Sequence, residues 1–393
     1  MNSWLTRLSK AAELDSRLIV GLMSGTSLDG LDVALCRIKG SGLATHLELL
    51  GFETLPYEEK FKDDVRQVFS KREIDLEKLT LLNAYVGRMH GELVLTCLSR
   101  WRVVPSSVTC IASHGQTVYH APQRIHRQAG YPDATLQIGD GDHLSVSTGI
   151  PVLSDFRQKH VAAGGEGAPL ALYGDTILFS SDEEDRVLLN IGGISNFTYL
   201  PRTQQKGPII CTDAGPGNTL IDALTKKLFD KPYDADGTIA SSGTVIVELL
   251  QALMDHRFFS EPLPKTTGPE LFNLQYLEAA QLKARGSNAS PTDLIATVTE
   301  FTVQGIVRTL RQGIPGQQYG LYASGGGAHN RFLLKRLSES LGLEVRKTEV
   351  LGLGGDAKEA VLFAILANET LCGSAIATGA GPQLMMGKIS LPG

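Results

Sequence analysis

The sequence predicts an α/β protein of two related lobes that offer glycine-tipped loops to one ligand, and three observations carry that prediction. The first is Arg17 to Ile38, RLIVGLMSGTSLDGLDVALCRI, where an apolar run meets a hydroxyl- and glycine-rich turn and a second apolar run follows at once. The second is its echo at Val187 to Leu200, VLLNIGGISNFTYL, in which an apolar run enters a Gly/Ser/Asn tip and a strand-like run leaves it. Each stretch reads as a β-hairpin. The third is size, since 393 residues with 42% hydrophobic content suffice for two cores.

The tip of the first hairpin carries Ser24, Gly25, Thr26, Ser27, Asp29 and Gly30. Glycines let backbone approach an anion, N–H and hydroxyl groups point at phosphate oxygens, and a carboxylate holds a metal's water shell. Read alone, the stretch fits an ordinary hairpin with an Asp-Gly turn equally well. The second tip, Gly192, Gly193, Ser195 and Asn196, shifts the balance. Two such tips, one in each half, suit a nucleotide polyphosphate gripped from both sides.

Composition narrows the partners. A net charge of -5 and a pI near 6.0 leave no polybasic footprint, so neither nucleic acid nor an anionic membrane is an expected partner. The 42 glycines suit a loop-rich α/β protein. Cys36, Cys97, Cys110, Cys211 and Cys372 are scattered, odd in number and free of a CxxC pair, which reads as buried thiols in a reducing compartment. Cys110 and His114 have ligand-like spacing but no second pair to complete a structural metal site. No apolar run approaches the ~20 residues of a membrane span. The opening MNSWLTRLSKAAELDS lacks a signal-peptide core and reads as a short amphipathic helix, so the expected location is the cytoplasm.

Strand and helix patterns then alternate, indicating a largely parallel or mixed sheet. Tyr57 to Arg100 has helical spacing, with Leu79, Leu82, Val86 and Met89 on one face. Strand-like VTCIASHG follows and leaves Ser113, His114, Gln116 and Thr117 at its C-terminal end, where ligands of open α/β sheets sit. A lone histidine there reads first as a structural hydrogen-bonder. TLQIGDGDHLSVSTGIPVLSDFR is a strand, a short helix and a strand that ends in Ser154, Asp155, Phe156 and Arg157. VAAGGEGAPL is expected to cross between the lobes, as hinge or as ligand loop. Neither a GxGxxG βαβ unit nor a P-loop is present.

The sharpest chemical candidate lies in IICTDAGPGNTLIDAL. Asp213 is expected at a strand's C-terminal end, with Asn218 capping a helix that carries Leu220, Leu224 and Leu228 on one face. A carboxylate so placed accepts a proton from a nucleophile, or else it bonds the N–H groups of its own turn. YDADG lacks the remaining ligands of a calcium loop and reads as a substrate-side or interface loop. Ser290, Pro291 and Asp293 mark a helix start with a capping box. LYASGGGAHN puts Gly325, Gly326 and Gly327 before a helix, with bare backbone for a flat ring or a phosphate, and Asn330 follows them. In LGGDAKEAVLFAILA, Asp356 and Glu359 match a capping box.

Taken together and in order, GLMSGTSLDGLDVAL, SHGQTVYH, LQIGDGDHL, SDFR, VAAGGEGAPL, LNIGGISN, DAGPGN, YDADG, TTGPELFN and SGGGAHN resemble the anhydro-N-acetylmuramic acid kinase family, of the sugar kinase/Hsp70/actin superfamily. The likeness runs from about Leu18 to about Ala367. It implies two ribonuclease-H-like α/β lobes around a cleft that holds ATP and Mg2+. The expected lobes are residues 1–150 plus about 370–393, and residues 151–369.

The implied activity is hydrolytic opening of 1,6-anhydro-N-acetylmuramic acid with phosphorylation of O6, giving N-acetylmuramic acid 6-phosphate and ADP for cell-wall recycling. The family's catalytic aspartate falls on Asp213. Ser24 to Asp29 becomes the first phosphate loop, Gly192, Gly193 and Asn196 the second, and Gly325 to Gly327 with Asn330 the adenosine loop. Asp29 is the expected Mg2+ residue. His114, Gln116 and Arg157 are the expected sugar contacts, joined by Glu359, which matches a family glutamate. The expected partners are the sugar, ATP and, in a homodimer, a second copy of the chain.

Several residues depart from the family pattern: Gln158 for a basic residue, His160 for Asp, Glu166 for Gln, APLAL for APLVP, and Pro269 for Arg. Most lie on the sugar side. The alternatives are therefore a kinase of the same fold acting on a different amino or anhydro sugar, or a non-catalytic ATP-binding regulator.

Overall fold

The structure is a computed structural model that describes residues 2–204, 207–284, 289–316, 318–373, 375 and 382–393. The chain divides into two compact units, Met1–Leu178 with Asp356–Gly393, and Phe179–Gly355.

In the first unit the two apolar runs form β1 (Ser16–Ser24) and β2 (Gly30–Lys39), paired antiparallel from Ser16↔Lys39 to Ser24↔Leu31. β3 (His46–Pro56) continues the meander antiparallel to β2, while β4 (Cys110–Ala121) runs parallel to β1. β5 (Ala134–Ile138) pairs with β4, and β6 (Val152–Ser154) runs parallel to β4. The sheet path is closed at one edge by the C-terminal strand Lys388–Ser390, antiparallel to β6. β1 is buried along most of its length, so both faces of the sheet are covered and its apolar run is continuous.

One face packs against the helices Leu76–Arg100 and Gly141–Thr148, with Val20, Leu22 and Ile111 meeting Val86, Val94 and Leu144. The other face takes the helix Lys358–Cys372, which is apolar nearly all round and buried from Ala360 to Glu369. That helix lies so close to β1 that a Cβ at Gly21 would come 1.9 Å from the carbonyl oxygen of Ala360.

In the second unit β7 (Asp185–Ile191), β8 (Ile194–Leu200) and β9 (Ile210–Pro216) form an antiparallel meander, and β10 (Tyr319–Ser324) runs parallel to β7. β11 (Val345–Lys347) runs parallel to β10. Both units thus have a three-stranded meander followed by parallel strands, the arrangement expected of ribonuclease-H-like lobes. The unit-two core gathers Val187, Leu189, Ile191, Phe197, Ala214 and Leu321 under the long helix Pro291–Gly313. Ser290 caps that helix by accepting from the Asp293 N–H.

The expected boundaries at 150 and 370 are corrected to 178/179 and 355/356. The reason is pairing: β6 is locked beside β4, and the Lys358–Cys372 helix packs on β1. VAAGGEGAPL therefore lies within the first unit and is not the crossover. Asp356 does not cap a helix, because the Lys358–Cys372 helix has Ala357 at its N-cap position and no side-chain cap. β4 runs on past Gly115 to Ala121, so Gln116 and Thr117 lie inside the strand. Among the described residues no single helix is long and apolar enough to cross a membrane.

YDADG is a folding device. The buried Asp234 carboxylate accepts from the backbone N–H groups of Ile239 and Ala240, each at 2.9 Å. Asp234→Ala leaves both donors bare, and thermal unfolding is expected to show a loss of about 2 kcal/mol with unchanged kinetic constants.

Candidate active site

The first hairpin tip is held down by Leu28, which adopts φ 60° and is buried in the core. A positive φ at leucine costs about 1–2 kcal/mol, which burial of its side chain offsets. With Leu28 turned in, Thr26, Ser27 and Asp29 face solvent beside Gly25. Ser24 does not. It is 1% exposed and its Oγ bonds Gln116 Oε1 at 2.5 Å and the Tyr57 hydroxyl at 2.7 Å, so its expected role as a phosphate ligand is corrected to a structural one.

The four expected sugar residues separate onto two faces of the sheet. His114 packs its ring 4.9 Å from Phe363 of the Lys358–Cys372 helix, while Gln116 joins Ser24 and Tyr57 on the opposite face. The reversal comes from Gly115 at φ 73°, where the strand register slips between Leu22 and Ser24. On the His114 face, Arg157 Nε donates to His114 Nε2 at 2.8 Å, and Nη1 donates to the Gly167 carbonyl at 2.7 Å. Burial, helped by the Arg157 charge, pushes the His114 pKa down to about 3. His114 is thus a neutral acceptor with its proton on Nδ1. His114 and Gly115 also line a pocket of about 590 Å³ with Ser113, Gln137, Asp140 and Asp155, within the range of small-molecule sites.

Glu359 lies at the start of the Lys358–Cys372 helix with its surface open to solvent, yet close packing around its carboxyl raises the pKa. Arg157 pulls it down through space, and Asp32 pushes it up. A raised carboxyl binds its proton more tightly in the folded chain. Its contribution to stability is therefore full at acid pH and is lost as pH climbs through the raised value. If the charged form serves catalysis, the acid limb of kcat/KM is expected above the ordinary glutamate range. Measured against pH, that limb should move in Glu359→Gln.

Three of the residues that depart from the family pattern, Gln158, His160 and Glu166, brace one loop. His160 Nδ1 accepts from the Gly167 N–H at 3.0 Å, and a Cβ at Gly165 would fall 2.1 Å from the His160 ring. Glu166 takes Arg124 Nε on both oxygens at 3.1 Å, and Gln158 donates to the Thr135 carbonyl. These side chains hold in place the loop whose Gly167 carbonyl receives Arg157.

Mg2+ demands hard oxygen donors and is commonly held by one or two carboxylates together with substrate phosphates. Asp29 is exposed, and burial with Asp356 and Asp29 nearby raises the Asp32 pKa. That donor chemistry fits Mg2+. No group of three or more His, Cys, Asp or Glu among the described residues is arranged to hold a metal by itself.

In the second unit the strands alternate on either side of a register slip between β8 and β9 at Ser195/Asn196. Val187, Leu189, Ile191, Phe197, Ala214 and Leu321 point into the core, so Asn190, Asn196, Asp213 and Ser324 share the other face. Register sets these four side by side: Ser324↔Asn190, Asn190↔Asn196 and Asn196↔Asp213. A polar row across four strands ends on Asp213, which sits inside β9 and not at its end as expected. Asp213 Oδ2 accepts the Thr267 N–H at 2.8 Å, and its own N–H donates to the Lys265 carbonyl at 3.0 Å. Thr267 was not legible as a functional residue, though it stands in the TTGPE stretch.

The second glycine tip works mainly through its carbonyls. Gly192 O accepts Asn218 N at 2.8 Å, and Gly193 O accepts Gly217 N at 2.9 Å and Thr219 Oγ1 at 2.7 Å. The Gly192 N–H is taken by Ile194 O, so that donor is not available to phosphate. Asn218 makes no cap; its Nδ2 reaches Ile191 O at 3.4 Å. The triple-glycine turn packs onto the same spot. A Cβ at Gly327 would lie 2.3 Å from Ile191 Cγ2, and one at Gly326 would lie 3.5 Å from Asn218 Nδ2. The two glycine loops and the start of the Thr219–Phe229 helix therefore form one patch, suited to an anion and a flat ring. Asn330 Oδ1 caps the Arg331–Leu341 helix by accepting Leu333 N at 3.0 Å, so its side-chain oxygen serves the helix.

A family model described as anhydro-N-acetylmuramic acid kinase matches residues 17–391. A relative of that name from Pseudoalteromonas atlantica is 48% identical over 401 aligned residues, covering 100% of both chains. One from Pseudoalteromonas translucida is 47% identical and covers 99% of each chain. A third, from Caldanaerobacter subterraneus subsp. tengcongensis, is 40% identical over 98% of this chain and 100% of the relative.

Proposed function

This chain belongs to the anhydro-N-acetylmuramic acid kinase family and is a sugar kinase, and from that premise we propose how its residues do the work. ATP and 1,6-anhydro-N-acetylmuramic acid are the substrates. Water attacks the anomeric carbon and its proton passes to Asp213. The C1–O6 bond breaks, O6 attacks the γ-phosphorus, and the bond to ADP breaks. N-acetylmuramic acid 6-phosphate and ADP leave.

The observation that carries this reading is Asp213 at the end of the polar row, oriented by the Thr267 N–H and bordered by Asn196. The carboxylate is fixed by protein while its face is shared with Asn190 and Ser324. Thr26, Ser27 and backbone N–H groups of the first tip bind phosphate oxygens. The patch of Gly193, Asn218 and Gly325 to Gly327 takes the rest of the nucleotide. Asp29 and Asp32 would hold Mg2+, which would supply neutralisation of phosphate charge when bound. Arg157 and Glu359 present opposite charges to the sugar.

The test is turnover in H2-18O. Sugar-dependent ADP release with the label at C1 of the 6-phosphate product supports hydrolytic opening, and ADP release with unlabelled product refutes it. Because Gln158, His160 and Glu166 are engaged in bracing their own loop, the anhydro sugar is expected to outperform other amino sugars in a substrate panel.

A further inference from the structure

We infer that Tyr57 and His90 are positioning residues that set the first hairpin tip's grip on ATP through a one-way chain of hydrogen bonds. The inference rests on the reading of that tip as a phosphate loop. It begins at Gln116, whose Nε2 donates to Gly25 O at 3.3 Å and to Thr117 O at 3.2 Å. This fixes Oε1 toward Ser24, so the Ser24 hydroxyl donates to it. With its single hydrogen committed, Ser24 Oγ accepts from the Tyr57 hydroxyl at 2.7 Å. The Tyr57 oxygen in turn faces His90 Nε2 at 3.0 Å, and it accepts the ring N–H. Direction is thus assigned at every link, from a helix in the core to the carbonyl of Gly25 at the tip.

Burial makes the chain decisive. Ser24 and His90 are 1% exposed, Gln116 0% and Tyr57 5%, so water replaces no missing partner. Burial also pushes the His90 pKa down to about 3, and the ring stays neutral, with one donor to give. The Gly25 carbonyl is where the chain meets function. Its orientation fixes the peptide plane that presents the next N–H, and Thr26 and Ser27 follow directly. A grip built this way affects the ligand of the tip and not the sugar.

Tyr57→Phe keeps the ring, leaves Ser24 without its donor and leaves the His90 N–H unpaired. The expected result is a KM for ATP about five- to twentyfold higher, with kcat and the sugar KM within about twofold. His90→Leu is expected to reproduce that rise. His90→Gln, which restores an N–H donor, is expected to bring the ATP KM most of the way back. Thr26→Ala/Ser27→Ala tests the loop reading itself. If that double variant raises the ATP KM while Y57F and H90L leave it unchanged, the relay is overturned and the loop reading stands. If none of them moves it, both fall. A uniform fall in kcat and in apparent affinity for both substrates, tracking a lower Tm, would mark the chain as core structure only and also overturn the inference. Should Y57F fail to fold, the H90L and H90Q pair decides.

Discussion

Asp213→Asn is expected to lower kcat by about a hundredfold or more while ATP binding and Tm stay close to wild type. The substitution is nearly isosteric. Its amide oxygen still accepts the Thr267 N–H that Asp213 Oδ2 accepts at 2.8 Å, so that contact is kept. What disappears is basicity. A hundredfold loss corresponds to about 2.7 kcal/mol of transition-state stabilisation, in the range of a lost general base and well above the effect of one neutral hydrogen bond. Initial rates of ADP release with saturating ATP and sugar measure it, and an ATP-analogue titration checks that binding survives. If kcat falls by less than tenfold, the base is another group and the polar row serves orientation only.

The element types were largely written in the sequence, because apolar runs and glycine tips are local signals. Both hairpins, the Ser290 cap and the helix Arg331–Leu341 formed where periodicity and capping residues placed them. Asp213 stood out as a candidate through its DAGPGN context. The errors came where distant contacts decide. Ser24 and Gln116 look like ligands by position, yet Tyr57 and His90 draw them into a buried network that no spacing reveals. Gly115 turns Gln116 to the opposite face from His114, and a single residue of slip is invisible to an alternation count. The pattern at Asp356 and Glu359 matched a capping box, but the helix begins at Lys358 without one. That leaves the Glu359 carboxylate uncommitted to a cap. The unit boundaries were misplaced because strand pairing, not composition, decides which unit holds β6.

Gly325→Ala is expected to weaken nucleotide binding by about tenfold or more, and the reason is geometric. Gly325 adopts φ 80° and ψ 177°, a region that is nearly glycine-only. Forcing a side chain into it costs about 1–3 kcal/mol. The added Cβ would also fall 2.6 Å from Asn190 Oδ1 and 2.8 Å from Ile191 O, and overpacking of that kind costs about another 1–3 kcal/mol. The chain relieves both by withdrawing the triple-glycine turn from Asn190 and Ile191. That pulls apart the patch in which Gly326 faces Asn218 and Gly327 faces Ile191. Thermal unfolding with and without a non-hydrolysable ATP analogue reads both consequences, a lower Tm and a smaller shift on adding ligand. Gly354→Ala is the matched control, since nothing lies within 4 Å of its added Cβ. If Gly325→Ala shows the wild-type Tm and ligand shift, the turn tolerates a side chain, and the assignment of Gly325 to Gly327 as the adenosine loop loses its physical basis.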